Sequence, residues 1–231
     1  MTTVQRNARI AGLLYLLLTL VAPLRLLYIP GKLFVRGDAA ATAANIAANE
    51  TLFRLGIMSE LACGVIVLFL TFALYRLFRD VDHQLAVLVV IVGGILPAAV
   101  DFLIVLNDIA ALAFVSGADY LAAFDAPQRD ALAHFFMRLH GQQVLAAEVL
   151  WGIWLFPLGM LAIRSRFIPR LFGYWLIING IAYLALSVSG LVLPQYAAWV
   201  EMVTIPALLG EVAFMLWLLI KGARERPVTA G

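Results

Sequence analysis

The chain has 231 residues, 64% of them hydrophobic and 13% charged, with a mean hydropathy of +0.99. Soluble domains are roughly 45–50% apolar and about 25% charged, so a water-soluble globule is excluded, as is intrinsic disorder, which requires low hydrophobicity and high net charge. A net charge of +2 with no basic run or aromatic-basic motif carries no signature of nucleic-acid binding, and the single cysteine, Cys63, sits in an apolar run as a buried structural thiol.

The apolar residues fall in blocks long enough to cross a bilayer, which takes about 20 residues of helix. A barrel would show short alternating segments instead. The pattern predicts an all-α polytopic membrane helix bundle, a single integral membrane domain over 1–231, with six transmembrane helices at about 9–29, 52–78, 84–114, 128–163, 170–191 and 199–221. Arg6 and Arg9 followed by GLLYLLLTLVAP look like the start of a secretory signal. The apolar stretch continues to Tyr28 without a small-residue cleavage site, so it is read as the first membrane helix. After it, Asp38 is placed as the N-cap of an alanine-rich helix, AAATAANIAANE, too polar to span. Ahead of the fourth span, Asp125 is predicted as an N-cap, with Pro127 in the first turn and Gln128 completing a capping box.

Orientation follows from the basic residues that flank the spans. Arg6, Arg9, Arg76, Arg79, Arg164, Arg166, Arg170, Lys221, Arg224 and Arg226 fall on the side of the N-terminus, against Lys32, Arg36 and Arg129 in the opposite loops with Arg25, Arg54 and Arg138 in the helix ends beneath them. This asymmetry places both termini in the cytoplasm, and the protein in the cell membrane with the lipid bilayer as its partner.

Ionisable residues inside a span are expensive and either pair or mark a functional path. Sixteen residues separate Arg9 from Arg25, Glu60 from Arg76 and Glu148 from Arg164, and seventeen separate Gln84 from Asp101. At helical rise these four charges lie roughly 24–26 Å from the cytoplasmic boundary, in one outer layer. One arginine with three carboxylates is not neutral when all are ionised; either a carboxyl carries a proton or a cation completes the site. Glu211 extends the acidic path inward. A second ring above holds Arg54, Asp108, His134, Arg138, His140 and Glu201, with His134 and Arg138 at the entrance of a stripe running down the fourth helix to Glu148. A purely structural reading pairs Arg25 with Glu60 or Glu148, Arg54 with Asp108, and Arg138 with Glu201.

The candidate ligand- or ion-binding residues are therefore Arg25, Glu60, Asp101, Glu148, Glu211, His134 and Arg138, serving a cation, proton or small polar solute through an outward-facing acidic pocket. The enzyme alternative is an intramembrane metal-dependent hydrolase near the outer face, drawing weakly on Asp108 and His140, although no HExxH motif or Cys/His cluster is present. The third alternative is a scaffold or partner subunit. No haem, flavin or nucleotide motif is present: the three histidines offer no facing pair, and no phosphate-cradling glycine loop or nucleophile elbow occurs. Nothing in the residues specifies an oligomeric state.

At the inner turn between the fourth and fifth helices, WLFPLGMLAIRSRFIPRLFGYWLIINGIAYL presents Ser165, Phe167, Ile168, Pro169, Arg170 and Gly173, with Tyr183 downstream. These residues, the opening RIAGLLYL, and GDAAATAANI followed by LFRLGI resemble the bacterial membrane-protein family designated domain of unknown function 4386. Arg166 stands where the family's pattern implies a glycine. The resemblance implies a polytopic membrane fold and brings no activity onto these residues.

Overall fold

The structure is a computed structural model that describes residues 2–223; Arg224 and Arg226 of the predicted basic collar lie outside the described residues. Seven helices carry the fold: α1 (Thr3–Leu33), α2 (Ala39–Ala48), α3 (Glu50–Phe78), α4 (His83–Ser116), α5 (Ala126–Ser165), α6 (Arg170–Val192) and α7 (Pro194–Ile220). All but α2 are long and apolar enough to cross a membrane, and no strand occurs among the described residues. Many large apolar side chains, among them Leu20, Leu27, Phe69, Leu103, Leu171, Val192 and Trp199, stand exposed. Such exposure is a liability in water and the ordinary condition of a helix facing lipid.

The helix ends follow local chemistry. The first helix begins at Thr3, ahead of the apolar block that was its sequence signal, because the Thr2 hydroxyl accepts from Gln5 N at 3.3 Å and so caps the polar first turn. Asp38 caps α2 by accepting from Ala41 N at 2.9 Å. Asp125 and Gln128 form the reciprocal capping box: Gln128 N donates to Asp125 Oδ1 at 2.8 Å and Asp125 N to Gln128 Oε1 at 3.0 Å.

Three interruptions inside the long helices trace to proline. Leu24–Tyr28 in α1 and Ile91–Ile95 in α4 are wider π-type turns, each just ahead of a proline, Pro30 and Pro97. Proline has no N–H to donate and its ring crowds the carbonyl four residues back, and widening the turn relieves that crowding. In α5 the regular pattern breaks at Trp154, three residues before Pro157. A π-type turn also rotates the following residues around the helix axis, so side chains on either side no longer keep one heptad phase.

The chain forms two compact units, described here one at a time. Unit one comprises the described residues of Met1–Leu18, Val65–Ala98 and Leu145–Gly231. Its core gathers Tyr15, Leu70, Leu74, Phe78, Trp154, Leu158, Leu176, Phe214 and Leu218. The last turns of α5 pack against α6, and α6 against α7, at distances that only glycine permits. A Cβ on Gly152 would lie 2.7 Å from Gly180 O, and one on Gly159 2.7 Å from Gly173 O, the backbone-to-backbone approach that small residues allow in membrane helices. Unit two comprises Thr19–Gly64 and Ala99–Val144, with a core of Ile29, Leu33, Ile46, Phe53, Ala111, Leu112 and Met137.

The α5–α6 turn depends on one strained residue. Arg166 has φ of +60°, the left-handed conformation in which glycine commonly ends a helix, and it is the position where the family resemblance implies a glycine. Arg166→Gly is expected to stabilise the protein by up to about 1 kcal/mol, the order of the left-handed penalty of an L-residue, read as a higher thermal midpoint in detergent. Gly180→Val is expected to destabilise it by about 1–3 kcal/mol through overpacking, seen as unfolding at lower SDS. Gly31→Ala, with nothing within 4 Å of the added carbon, is the neutral control.

Candidate functional site

Unit two gathers charge from four helices. The π-type turn of α1 carries Arg25, whose guanidinium grips Asp108 of α4 side-on: Nε donates to Oδ2 at 2.8 Å and Nη2 to Oδ1 at 2.5 Å. Arg25 is 1% exposed and Asp108 0%, so this two-point pair is fully withdrawn from solvent. Such parallel bonds fix orientation as well as distance. Gly56 of α3 makes room for it: a Cβ there would collide with the Ile29 side chain and lie 3.3 Å from Arg25 Cδ. His140 of α5 is buried against the same carboxylate, with Nδ1 3.2 Å from Asp108 Oδ1, close enough to ion-pair when the ring is protonated but not aligned as a hydrogen bond. Beside Asp108 in the chain, Asn107 Nδ2 donates to Gln143 Oε1, one turn along α5 from His140, tying α4 to α5.

Two further carboxylates belong to this neighbourhood. Glu60 of α3 lies within electrostatic reach of His140, Arg25 and Asp108, and Asp101, two turns along α4 from Asp108, within reach of Glu60. Both are buried. Neither forms a hydrogen bond or ion pair through its carboxylate among the described residues. Cys63, buried and unoxidised, lies beside both of them. Arg25 Nη1 is buried without an acceptor.

The geometry redistributes the sequence-derived pairs. Arg54 does not pair with Asp108: its Nη2 bonds Glu50 Oε1 at 2.7 Å along the exposed face of α3, because an acceptor one turn away is reached without burying either charge. Asp108, placed by residue counting in a ring above Arg25, is its direct partner, since the π-type turn and the long arginine side chain override a count based on straight helices. His134 sits outside the cluster, stacked on Phe34 with ring centroids 4.7 Å apart and with Nδ1 3.3 Å from Thr42 Oγ1. Arg138 is exposed. Both oxygens of Asp108 are engaged by the guanidinium. Among the described residues no group of three or more His, Cys, Asp and Glu is placed to hold a metal ion.

Glu148 and Glu211 fall in unit one. Glu211 of α7 accepts from Tyr15 OH of α1 and from Asn179 Nδ2 of α6 at 3.1 Å, and Tyr183 lies within electrostatic reach of the same carboxylate. Glu148 of α5 has a buried Oε2 without a hydrogen-bond partner. The three residues around Glu211 were not among the sequence candidates. Their signal was present: Asn179 and Tyr183 are four apart in an otherwise apolar span and so share one face of α6.

A family model described as "Domain of unknown function (DUF4386)" matches residues 10–222. No curated protein and no solved structure matches the chain.

Removing one partner of a buried ion pair strands the other in a low-dielectric interior. Asp108→Asn is therefore expected to destabilise the protein by about 3–5 kcal/mol, and the apolar double substitution Arg25→Met with Asp108→Leu to recover most of that loss, both read by SDS titration. Arg54→Ala, which removes an exposed pair one helical turn long, is expected to change stability by less than about 0.5 kcal/mol.

Proposed function

This chain belongs to the DUF4386 family, and we propose that it is a multi-pass protein of the cell membrane, with both termini cytoplasmic, that binds or translocates a proton or small cation through an acidic site on the outer side. The site is built on Glu60 and Asp101 beside the Arg25–Asp108–His140 cluster. The orientation rests on the basic residues that flank the spans on the side of the termini.

One observation carries the reading: Glu60 and Asp101 are buried carboxylates within reach of one another that have no hydrogen-bonded or ion-paired partner among the described residues. A buried carboxylate without donors is strongly disfavoured, and the guanidinium that could neutralise one of them is already committed to Asp108 through two bonds. A proton or a small cation satisfies the remainder. A neutral solute would leave the excess negative charge in place. A scaffold subunit requires every buried charge to be paired, and these two are not. The hydrolase alternative needs three ligands converging on one point, an arrangement that the described residues do not offer.

The Arg25–Asp108 pair then has a positioning role. It holds α1 against α4 and keeps the guanidinium within electrostatic reach of Glu60.

Purified protein reconstituted into vesicles tests this with imposed proton, sodium and potassium gradients, followed by dyes for pH and membrane potential. Flux of one of these ions above that of protein-free vesicles is expected. Glu60→Gln and Asp101→Asn are each expected to lower it at least about ten-fold, the scale of one lost charge-assisted contact. Flux equal to that of empty vesicles, together with no ion binding by calorimetry, would refute the proposal.

A further inference from the structure

Unit one holds a carboxylate in a different chemical setting, and its surroundings point to a ligand of their own. Glu211 is met by neutral groups: the hydroxyl of Tyr15 and the amide of Asn179 donate to it, and Tyr183 lies within electrostatic reach. Among the described residues no lysine, arginine or histidine pairs with it. Asn179 is 0% exposed, and while its Nδ2 is spent on Glu211, its Oδ1 is buried with no donor. The two atoms share one amide carbon, so the unfilled acceptor lies next to the carboxylate. A second unfilled acceptor, the buried Oε2 of Glu148, belongs to a side chain within electrostatic reach of Tyr183. Trp154 stands against Tyr15, with ring centroids 6.1 Å apart, and Trp151 against Tyr183 at 6.0 Å, closing the surroundings with aromatic rings.

This neighbourhood has acceptors in excess and its donors are used up. A buried Asn oxygen without a donor is an unsatisfied group of the kind that native structures rarely retain. A positive ligand, not another acceptor, is what would complete it.

We infer that Glu211, Asn179 Oδ1 and the hydroxyl oxygens of Tyr15 and Tyr183 form a binding site for a monovalent cation. The ligand set fixes the valence: Glu211 is its one carboxylate and neutralises one positive charge, while the Glu148 carboxylate is not among the ligands. The ligands are all oxygens, the hard donors that alkali and alkaline-earth cations take, and they come from α1, α6 and α7, so the ion would tie three helices of this unit together. A phenolic oxygen is able to ligate a cation while its hydrogen is donated elsewhere. This site goes beyond the reading of Glu60 and Asp101 and does not rest on it.

The test uses the purified full chain in detergent and the near-ultraviolet absorbance of its tyrosines, titrated with sodium or potassium chloride against N-methylglucamine chloride at constant ionic strength. The expected result is a saturable difference spectrum with sodium or potassium and none with the bulky organic cation. Tyr15→Phe is expected to diminish the signal, and Glu211→Gln to abolish it. Identical wild-type spectra in all three salts would overturn the inference without any variant. So would an undiminished saturable response in Glu211→Gln, or a response to magnesium at lower concentration than to either alkali ion. Should Glu211→Gln fail to fold, Asn179→Ser, which withdraws the amide oxygen, is expected to weaken apparent affinity at least about ten-fold, one lost contact to a charge; unchanged affinity would count against the site. Vesicle flux lost without loss of this spectrum, or the converse, separates the two proposals.

Discussion

A guanidinium inside a membrane helix bundle has no water to turn to, and the pairing of Arg25 with Asp108 is the constraint on which unit two is built. Every polar group in such a setting has to be satisfied within the protein, and a charge left alone there is far more costly than one at a surface. The two-point contact, at 2.8 and 2.5 Å, accepts only one relative orientation of α1 and α4. The surrounding residues conform to it. Pro30 induces the wider turn that presents Arg25, the missing side chain at Gly56 leaves room for its stem, and His140 lies against the same carboxylate. A pair of this kind adds little net stability over well-packed apolar residues. Its presence is better understood as a means of fixing register and of setting the charge next to Glu60.

The two acidic centres solve the same problem differently. Around Asp108 the balancing charge is a fixed cation, leaving Glu60 and Asp101 as the groups with an unmet requirement. Around Glu211 the balance is struck by neutral dipoles, a phenolic hydroxyl and an amide, which orient toward a negative charge without cancelling it. The first arrangement suits an exchangeable ion held against a built-in counter-charge. The second suits an ion that supplies the counter-charge itself.

How much of this could be read from the residues depends on the range of the interaction. The capping box of Asp125 and Gln128, the cap at Asp38 and the six spans are set by neighbours within a few positions, and the structure places each of them where the pattern indicated. The spacing argument also drew attention to Arg25, Glu60 and Asp101, because an ionisable residue in an apolar run is conspicuous in any arrangement of the helices. It failed on partners. Assigning Asp108 to Arg54 assumed straight helices stacked at equal depth, whereas the π-type turns before Pro30 and Pro97 shift both phase and rise, and a surface Glu50 one turn from Arg54 is the nearer acceptor. Asn179 and Tyr183 were passed over because a neutral polar residue in a span does not demand a partner as a charge does.

Hydrophobicity and its periodicity by themselves determined that this chain is all-helical, with six helices long and apolar enough to cross a membrane. Burial of about 20 apolar residues at a time admits no other secondary structure. Tertiary structure alone decided which charges meet. Side-chain partners in a helix bundle are chosen by rotation and close approach, and those depend on glycines such as Gly56 and Gly152 and on proline-induced turns whose effects are felt a helix away.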